Sequence, residues 1–225
     1  GGKVGIDTPY GKNTLGAFYQ PAMVAMDIAI LDQLPRVQFL NGLFEAIKGF
    51  FTSDKAGLEL CKKLDLKNLG QNPEIVEEII TRSVRFKAKI VQDDEKENNQ
   101  RRILNFGHTL GHALEKLSGY TLPHGLAVGY GMLGEAKISQ LMGILPETDF
   151  LYLESYLKDF GIEKSFFSQY PTSKIIPATK MDKKARGGKP YYVLLEKIGQ
   201  VYAPGGQYAH EVEDKIVRKA LGLFK

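Results

Sequence analysis

Cysteine is nearly absent from these 225 residues, where Cys61 stands alone. One thiol supports neither a disulfide framework nor a cysteine-based zinc site, and it suits a reducing cytoplasm. Long hydrophobic runs are missing too. No stretch reaches the roughly 18 consecutive apolar residues of a membrane-spanning helix, and the start shows no secretory signal pattern. Charge of one sign is scarce: 30 Lys and Arg against 26 Asp and Glu leave a formal +4. Nucleic-acid binding would need a stronger and more clustered excess, whereas a small anionic substrate fits this mild balance. Internal repeats, low-complexity tracts and a glycine-rich dinucleotide fingerprint are also lacking. The opening Gly1-Gly2-Lys3 contains no initiating Met, so further chain is expected upstream.

Apolar residues make up 43% of the chain and charged ones 25%, enough for a real core. At about 150 residues per domain, the length suits one large domain or one and a half. Glycines and prolines punctuate residues 1–35, and Val24-Ala25-Met26 reads as a strand, so this part is expected to belong to a sheet completed elsewhere. From Pro35 onward the period is helical. Phe39, Leu43, Ile47 and Phe51 recur at i, i+4. Asn72-Pro73 starts a helix, Asn as N-cap and Pro in the first turn, with Ile75, Ile79, Val84, Ala88 and Val91 as its apolar face. Residues 93–102 read as a polar, exposed or substrate-facing loop. Helices are expected over 103–117, 124–142, 148–160 and 210–223, and a hairpin pairing 191–195 with 200–202. The helix from His124 contains Gly125, Gly129, Gly131 and Gly134, each costing about 0.5–1 kcal/mol relative to Ala. Close approach by another backbone or a ligand would explain them.

The chemistry-bearing residues cluster. His108 and His112 stand at i, i+4 and share a helical face, with His124 nearby. Imidazoles and a carboxylate are the usual ligands of a catalytic zinc when cysteine is absent. The zincin pattern would require Glu at position 109, where this chain has Thr109, which argues against that protease class. On spacing alone, a metal pair and two histidines hydrogen-bonded in a polar core both remain open. Glu45 lies in a mainly apolar helix and is the best carboxylate candidate, although a plain ion pair with Lys48 would also account for it. Lys3, Lys12, Lys48, Lys87 and Arg101, with the amides Asn13 and Asn105, are unremarkable singly. Converging on the histidines, they would suit a phosphorylated or carboxylated sugar-like substrate.

Several of these segments together resemble the 3-dehydroquinate synthase family. They are Gly1-Gly2-Lys3-Val4-Gly5-Ile6-Asp7-Thr8-Pro9-Tyr10-Gly11-Lys12-Asn13, Gly42-Leu43-Phe44-Glu45-Ala46-Ile47-Lys48, Leu104-Asn105-Phe106-Gly107-His108-Thr109-Leu110-Gly111-His112, His124-Gly125 and Met181-Asp182-Lys183-Lys184. The resemblance implies a mainly α chain: a helical metal- and substrate-binding domain with a small β-hairpin over 36–225, preceded at 1–35 by a remnant of an α/β NAD-binding domain. It implies NAD and Zn2+ (or Co2+) as cofactors, with Glu45, His108 and His124 as metal ligands. This replaces the spacing-based pairing of His108 with His112. Lys3, Asn13, Asn105, His112 and Lys184 would hold the phosphate, and Lys48, Lys87 and Arg101 the carboxylate and ring hydroxyls, with His112, Lys87 and Arg101 as the catalytic set. Lys3, Lys12, Ile30, Leu31, Asp32 and Gln33 would touch NAD. Many relatives read His-Gly-Glu where this chain reads His124-Gly125-Leu126, so a carboxylate near His124 is expected to be lost.

The implied reaction converts 3-deoxy-D-arabino-heptulosonate 7-phosphate to 3-dehydroquinate and phosphate, in the cytoplasm, by a homodimeric full-length enzyme that binds neither nucleic acid nor membrane. Without the NAD-binding half this chain is expected to be inactive alone. The rival readings are a paralogous sugar-phosphate cyclase, a glycerol-type metal-dependent alcohol dehydrogenase, and a catalytically silent metal-binding domain.

Overall fold

The computed structural model describes residues 1–9, 11–66, 72–181 and 189–224, and only the backbone of residues 7 and 11–13. The chain opens with a hairpin of β1 (Lys3–Thr8) and β2 (Gly11–Phe18), paired antiparallel with Ile6 opposite Leu15. Val4, Ile6, Leu15 and Phe18 on these strands are exposed. Residues 19–27 form no strand, which corrects the reading of Val24–Met26: no described strand lies beside them to satisfy their backbone groups. A short 3-10 segment, Ile28–Gln33, capped by the Asp27 side chain, leads into the helices.

α1 (Arg36–Ser53) buries Phe39, Leu43, Ile47 and Phe51 as their spacing predicts. α2 (Lys55–Lys62), which the periodicity did not reveal, starts where Asp54 accepts the Ala56 and Gly57 N–H groups. α3 (Pro73–Asp93) begins at Asn72-Pro73, although the Asn72 side chain makes no cap bond. Its buried face runs through Val76, Ile79, Ile90 and Val91, leaving Val84 and Ala88 exposed. The polar loop after it is organised by Asp94, whose carboxylate accepts the N–H groups of Asn98 and Asn99 at 2.8 Å and of Arg101 at 2.9 Å.

The helix expected over 103–117 is two pieces. A 3-10 turn, Gln100–Asn105, ends at Phe106, and α4 (His108–Leu117) starts only after Gly107, which has φ +76. α5 (His124–Leu141) is buried nearly all round and packs against α1, α4, α6 (Glu147–Asp159) and α8 (Asp214–Gly222). Its glycines permit this approach. A Cβ on Gly125 would run into the backbone of Asn41 in α1, and one on Gly131 into the carbonyl oxygen of Gly107; Gly129 and Gly134 make room for Ile162 and Leu110. α7 (Thr172–Lys180) packs on α4 and α8.

The small strands pair differently from expectation. β4 (Leu195–Lys197) and β5 (Gln200–Val201) form the hairpin, while β3 (Tyr191–Tyr192) pairs with β6 (His210–Glu211). The last helix therefore starts at Asp214 rather than at residue 210. The Pro204–Gly206 turn redirects the chain, so His210 and Glu211 are used as strand before the helix begins. No described helix is long and apolar enough to cross a membrane.

Candidate metal centre and anion cleft

Three helices each supply one ligand-type side chain to a single point. Glu45 comes from α1, His108 is the first residue of α4, and His124 is the first residue of α5. Their nearest donor atoms lie within 4.8 Å of one another. Glu45 Oε1 stands 3.6 Å from His108 Nε2 and 3.5 Å from His124 Nε2. At that length neither contact satisfies Oε1, which is buried and accepts no hydrogen bond.

The far side of each ligand is anchored. Glu45 Oε2 accepts from the buried Lys48 Nζ at 2.7 Å. His108 Nδ1 lies 3.2 Å from the carbonyl oxygen of Phe106, and His124 Nδ1 lies 3.2 Å from Glu115 Oε2. With Nδ1 protonated toward an oxygen, each neutral imidazole aims an Nε2 lone pair at the Glu45 side. A buried carboxylate oxygen with no hydrogen on it and two imidazole nitrogens beside it are the donor set that a divalent cation of the zinc type takes. The residues fit the group.

Electrostatics agree. Burial disfavours the Glu45 charge, but His124, Lys48 and His108 outweigh it and hold the carboxyl well below the usual carboxylate range. Burial pulls the Lys48 ammonium down, with Glu45 partly restoring it. Glu115 and Glu45, one at each ring nitrogen, push the metal-free His124 imidazole up to about 9.

The carboxylate lost at position 126 does not leave His124 without one. Leu126 does not supply it; Glu115 does, three residues beyond His112 on α4. The signal was in the sequence, since His108, His112 and Glu115 follow one helical face at i, i+4 and i+7. His112 is half-buried, its ring 5.3 Å from that of His108 and 5.9 Å from that of His124. Its donor nitrogen groups with Glu115 and His124 rather than with Glu45.

A cleft of about 280 Å³ opens beside Glu45 and His108, lined by Lys3, Lys48, Lys87, Glu97, Arg101 and Asn105 among others. Four cations face two carboxylates there, so the cleft is positive despite the mild overall charge. Arg101 is buried, and its guanidinium donates to the carbonyl oxygen of Gly1 at 2.7 Å and to that of Glu95. Lys87 is exposed on α3. Glu97, which the sequence did not single out within its polar loop, has φ 59; its carboxylate pairs with Lys3 and accepts from Asn105 at 2.5 Å. Ile30, Asp32 and Gln33 are exposed, and Leu31 lines an apolar cavity of about 240 Å³ between α1 and α3. The side chains of Lys12 and Asn13, and Lys184 altogether, lie outside the described residues.

This geometry has relatives. The family model described as 3-dehydroquinate synthase C-terminal matches residues 42–185, and that described as 3-dehydroquinate synthase N-terminal matches residues 1–41. The chain belongs to the 3-dehydroquinate synthase family. The 3-dehydroquinate synthase of Thermodesulfovibrio yellowstonii is 38% identical over 202 residues, covering 89% of this chain and 56% of that protein. That of Nostoc punctiforme is 39% identical over 225 residues, covering 98% and 60%. The chain thus spans a little over half the length of these relatives. Among solved structures, a 2-deoxy-scyllo-inosose synthase complexed with carbaglucose-6-phosphate, NAD+ and Co2+ superposes with TM-score 0.83 at 24% identity, over 98% of this chain and 61% of that one. A 2-epi-5-epi-valiolone synthase from Streptomyces hygroscopicus with NAD+ and Zn2+ bound superposes with TM-score 0.82 at 22% identity, over 100% and 61%. At these identities the two structures establish the shared fold, and the dehydroquinate synthase family supplies the frame for the mainly helical architecture.

Proposed function

We propose that this chain is the metal- and substrate-binding part of a 3-dehydroquinate synthase, an NAD- and metal-dependent carbon–oxygen lyase acting on 3-deoxy-D-arabino-heptulosonate 7-phosphate. The observation that carries the reading is the convergence of Glu45 Oε1, His108 Nε2 and His124 Nε2 at the edge of a cationic cleft. Residues 1–35 are the end of the NAD-binding half and 36–225 the helical domain. The family relationship and the cofactors named with the two solved structures support NAD and Zn2+ or Co2+ here.

When bound, the cation supplies Lewis acidity to substrate hydroxyls and NAD a reversible hydride acceptor. The chain's own residues do the rest. Lys48 fixes Glu45 so that only Oε1 faces the metal position, and Glu115 and Phe106 fix the two imidazoles. Lys87 and Arg101 receive the substrate carboxylate, the latter pre-oriented by the carbonyl oxygens that hold it. Lys3, Asn13, Asn105, His112 and Lys184 receive the phosphate. Lys3 and Asn105 are engaged by Glu97 before it arrives, so binding exchanges one anion for another. His112, half-buried beside the ligand histidines, holds or passes a proton as phosphate leaves. Lys12 and the segment Ile30, Leu31, Asp32 and Gln33 face NAD, together with Lys3. Turnover needs the remainder of the full-length enzyme, which we take to be a cytoplasmic homodimer.

The test is a zinc titration of this chain beside its His124→Ala variant. One equivalent bound by the wild type and lost in the variant is the expected result. No binding by the wild type would remove the anchor of the reading.

A further inference from the structure

α4 begins without a cap of its own. The residue before it, Gly107, has no side chain, and its left-handed backbone is pressed against Val128 and Met132 of α5. The first amides of a helix are orphan donors and carry the positive end of its dipole. Here they are met from another helix. Glu135 of α5 is fully buried, with 0% exposure. Its Oε2 accepts the Gly107 N–H at 2.8 Å, and its Oε1 accepts the N–H groups of Thr109 at 3.1 Å and Leu110 at 3.3 Å. The residue enclosed between these bonds is His108.

We infer that Glu135 is a positioning residue for the metal centre: its carboxylate clamps the backbone on both sides of His108 and so sets the direction of that ligand. The inference rests on the metal-site reading above. Glu135 is not among the residues lining the cleft, and the bonds that flank His108 are to main-chain N–H groups. The clamp acts on both anchors of the His108 ring. The Phe106 carbonyl oxygen that takes Nδ1 belongs to the peptide bond whose N–H Glu135 accepts, the one joining Phe106 to Gly107. A carboxylate is required, because the two oxygens face donors on both sides. An amide would turn its NH2 toward an N–H, leaving a buried donor opposed to a donor.

The experiment compares wild type, Glu135→Gln, Glu135→Asp and Leu153→Ala, the last a buried core position in α6. Zinc affinity is measured by competition, and the visible spectrum is recorded at saturating Co2+. Glu135→Gln is expected to bind zinc about tenfold to hundredfold more weakly and to change the Co2+ band pattern, which reports ligand geometry. Glu135→Asp keeps the charge but not the reach, and falls between. Leu153→Ala loses thermal stability with affinity and spectrum unchanged. Wild-type affinity and spectrum in folded Glu135→Gln would overturn the inference, as would equal losses in Leu153→Ala. If neither Glu135 variant folds even with zinc, the carboxylate serves global folding and the inference fails. Absence of zinc binding by the wild type would instead overturn the metal-site reading, and this inference with it.

Discussion

His124 meets a carboxylate at each ring nitrogen, and the two partners have different tasks. Glu115 orients the ring, whereas Glu45 shares with it the position a cation would take. Without metal, the pair raises the imidazole from 6.5 to about 9, so the folded state binds a proton more tightly than the unfolded chain does. That contribution to stability is fully present below pH 6.5 and is lost as pH rises through about 9. The metal-free protein should therefore melt at progressively lower temperature across this window. Zinc requires the neutral ring, so the stabilisation it brings should grow over the same window as proton competition fades. Calorimetry checks both: with chelator the melting temperature should fall across the window, and the increment added by saturating zinc should rise to offset it. Lys87 allows a second test at this scale, because it is exposed and its truncation opens no cavity in the core. In an enzyme completed with its N-terminal half, Lys87→Ala should cost about 1.5–3 kcal/mol of transition-state binding for the carboxylated substrate. An analogue without the carboxylate should be turned over as before. Equal losses on both would favour a paralogous cyclase.

The elements show where sequence reading succeeds and where it stops. Phe39, Leu43, Ile47 and Phe51 face one way at helical spacing, and α1 follows them. The glycines of the helix after His124 announced close approach, and α5 delivers it against α1 and α4. The break between residues 103–105 and His108 was not legible, because the group that meets the Gly107 amide there, Glu135, comes from another helix. The same holds for β6: the period of residues 210–223 suits a helix, but His210 and Glu211 are drawn into pairing with Tyr192 and Tyr191. Glu45 lies together with His108 and His124, a grouping that i, i+4 spacing alone does not reveal. Glu97 stayed hidden because a polar loop carries no period; its partners Lys3 and Asn105 are 94 and 8 residues away in the chain. At this scale Gly131→Ala is the informative substitution. Its methyl would collide with the carbonyl oxygen of Gly107, which cannot rotate away as a side chain could. A loss of about 1–3 kcal/mol is expected, read as a lower urea midpoint at unchanged slope.

Taken whole, the molecule is a well-filled helical body carrying a hairpin whose apolar residues face outward. The N-terminal family model covers only residues 1–41, and the relatives extend well beyond this chain. Complementation follows as the test: phosphate release from the heptulosonate phosphate should appear only when a relative's N-terminal half is supplied with NAD, with no net accumulation of NADH. Accumulating NADH would point to an alcohol dehydrogenase, and silence in the completed protein to a domain that binds metal without turnover.

The main-chain contacts of α5 have one more consequence. Gly125 locks it to α1 at Asn41, and Gly131 locks it to α4 at Gly107, so the three ligand-bearing helices are spaced by backbone rather than by compressible side chains. On the proposed metal reading, such a seat would be held in shape before an ion arrives. Zinc should then enter with a heat-capacity change near zero, in contrast to proteins whose metal organises the chain. A pre-cut seat also fixes the ion radius it accepts, and exchange of one ion for another becomes a matter of supply rather than of refolding.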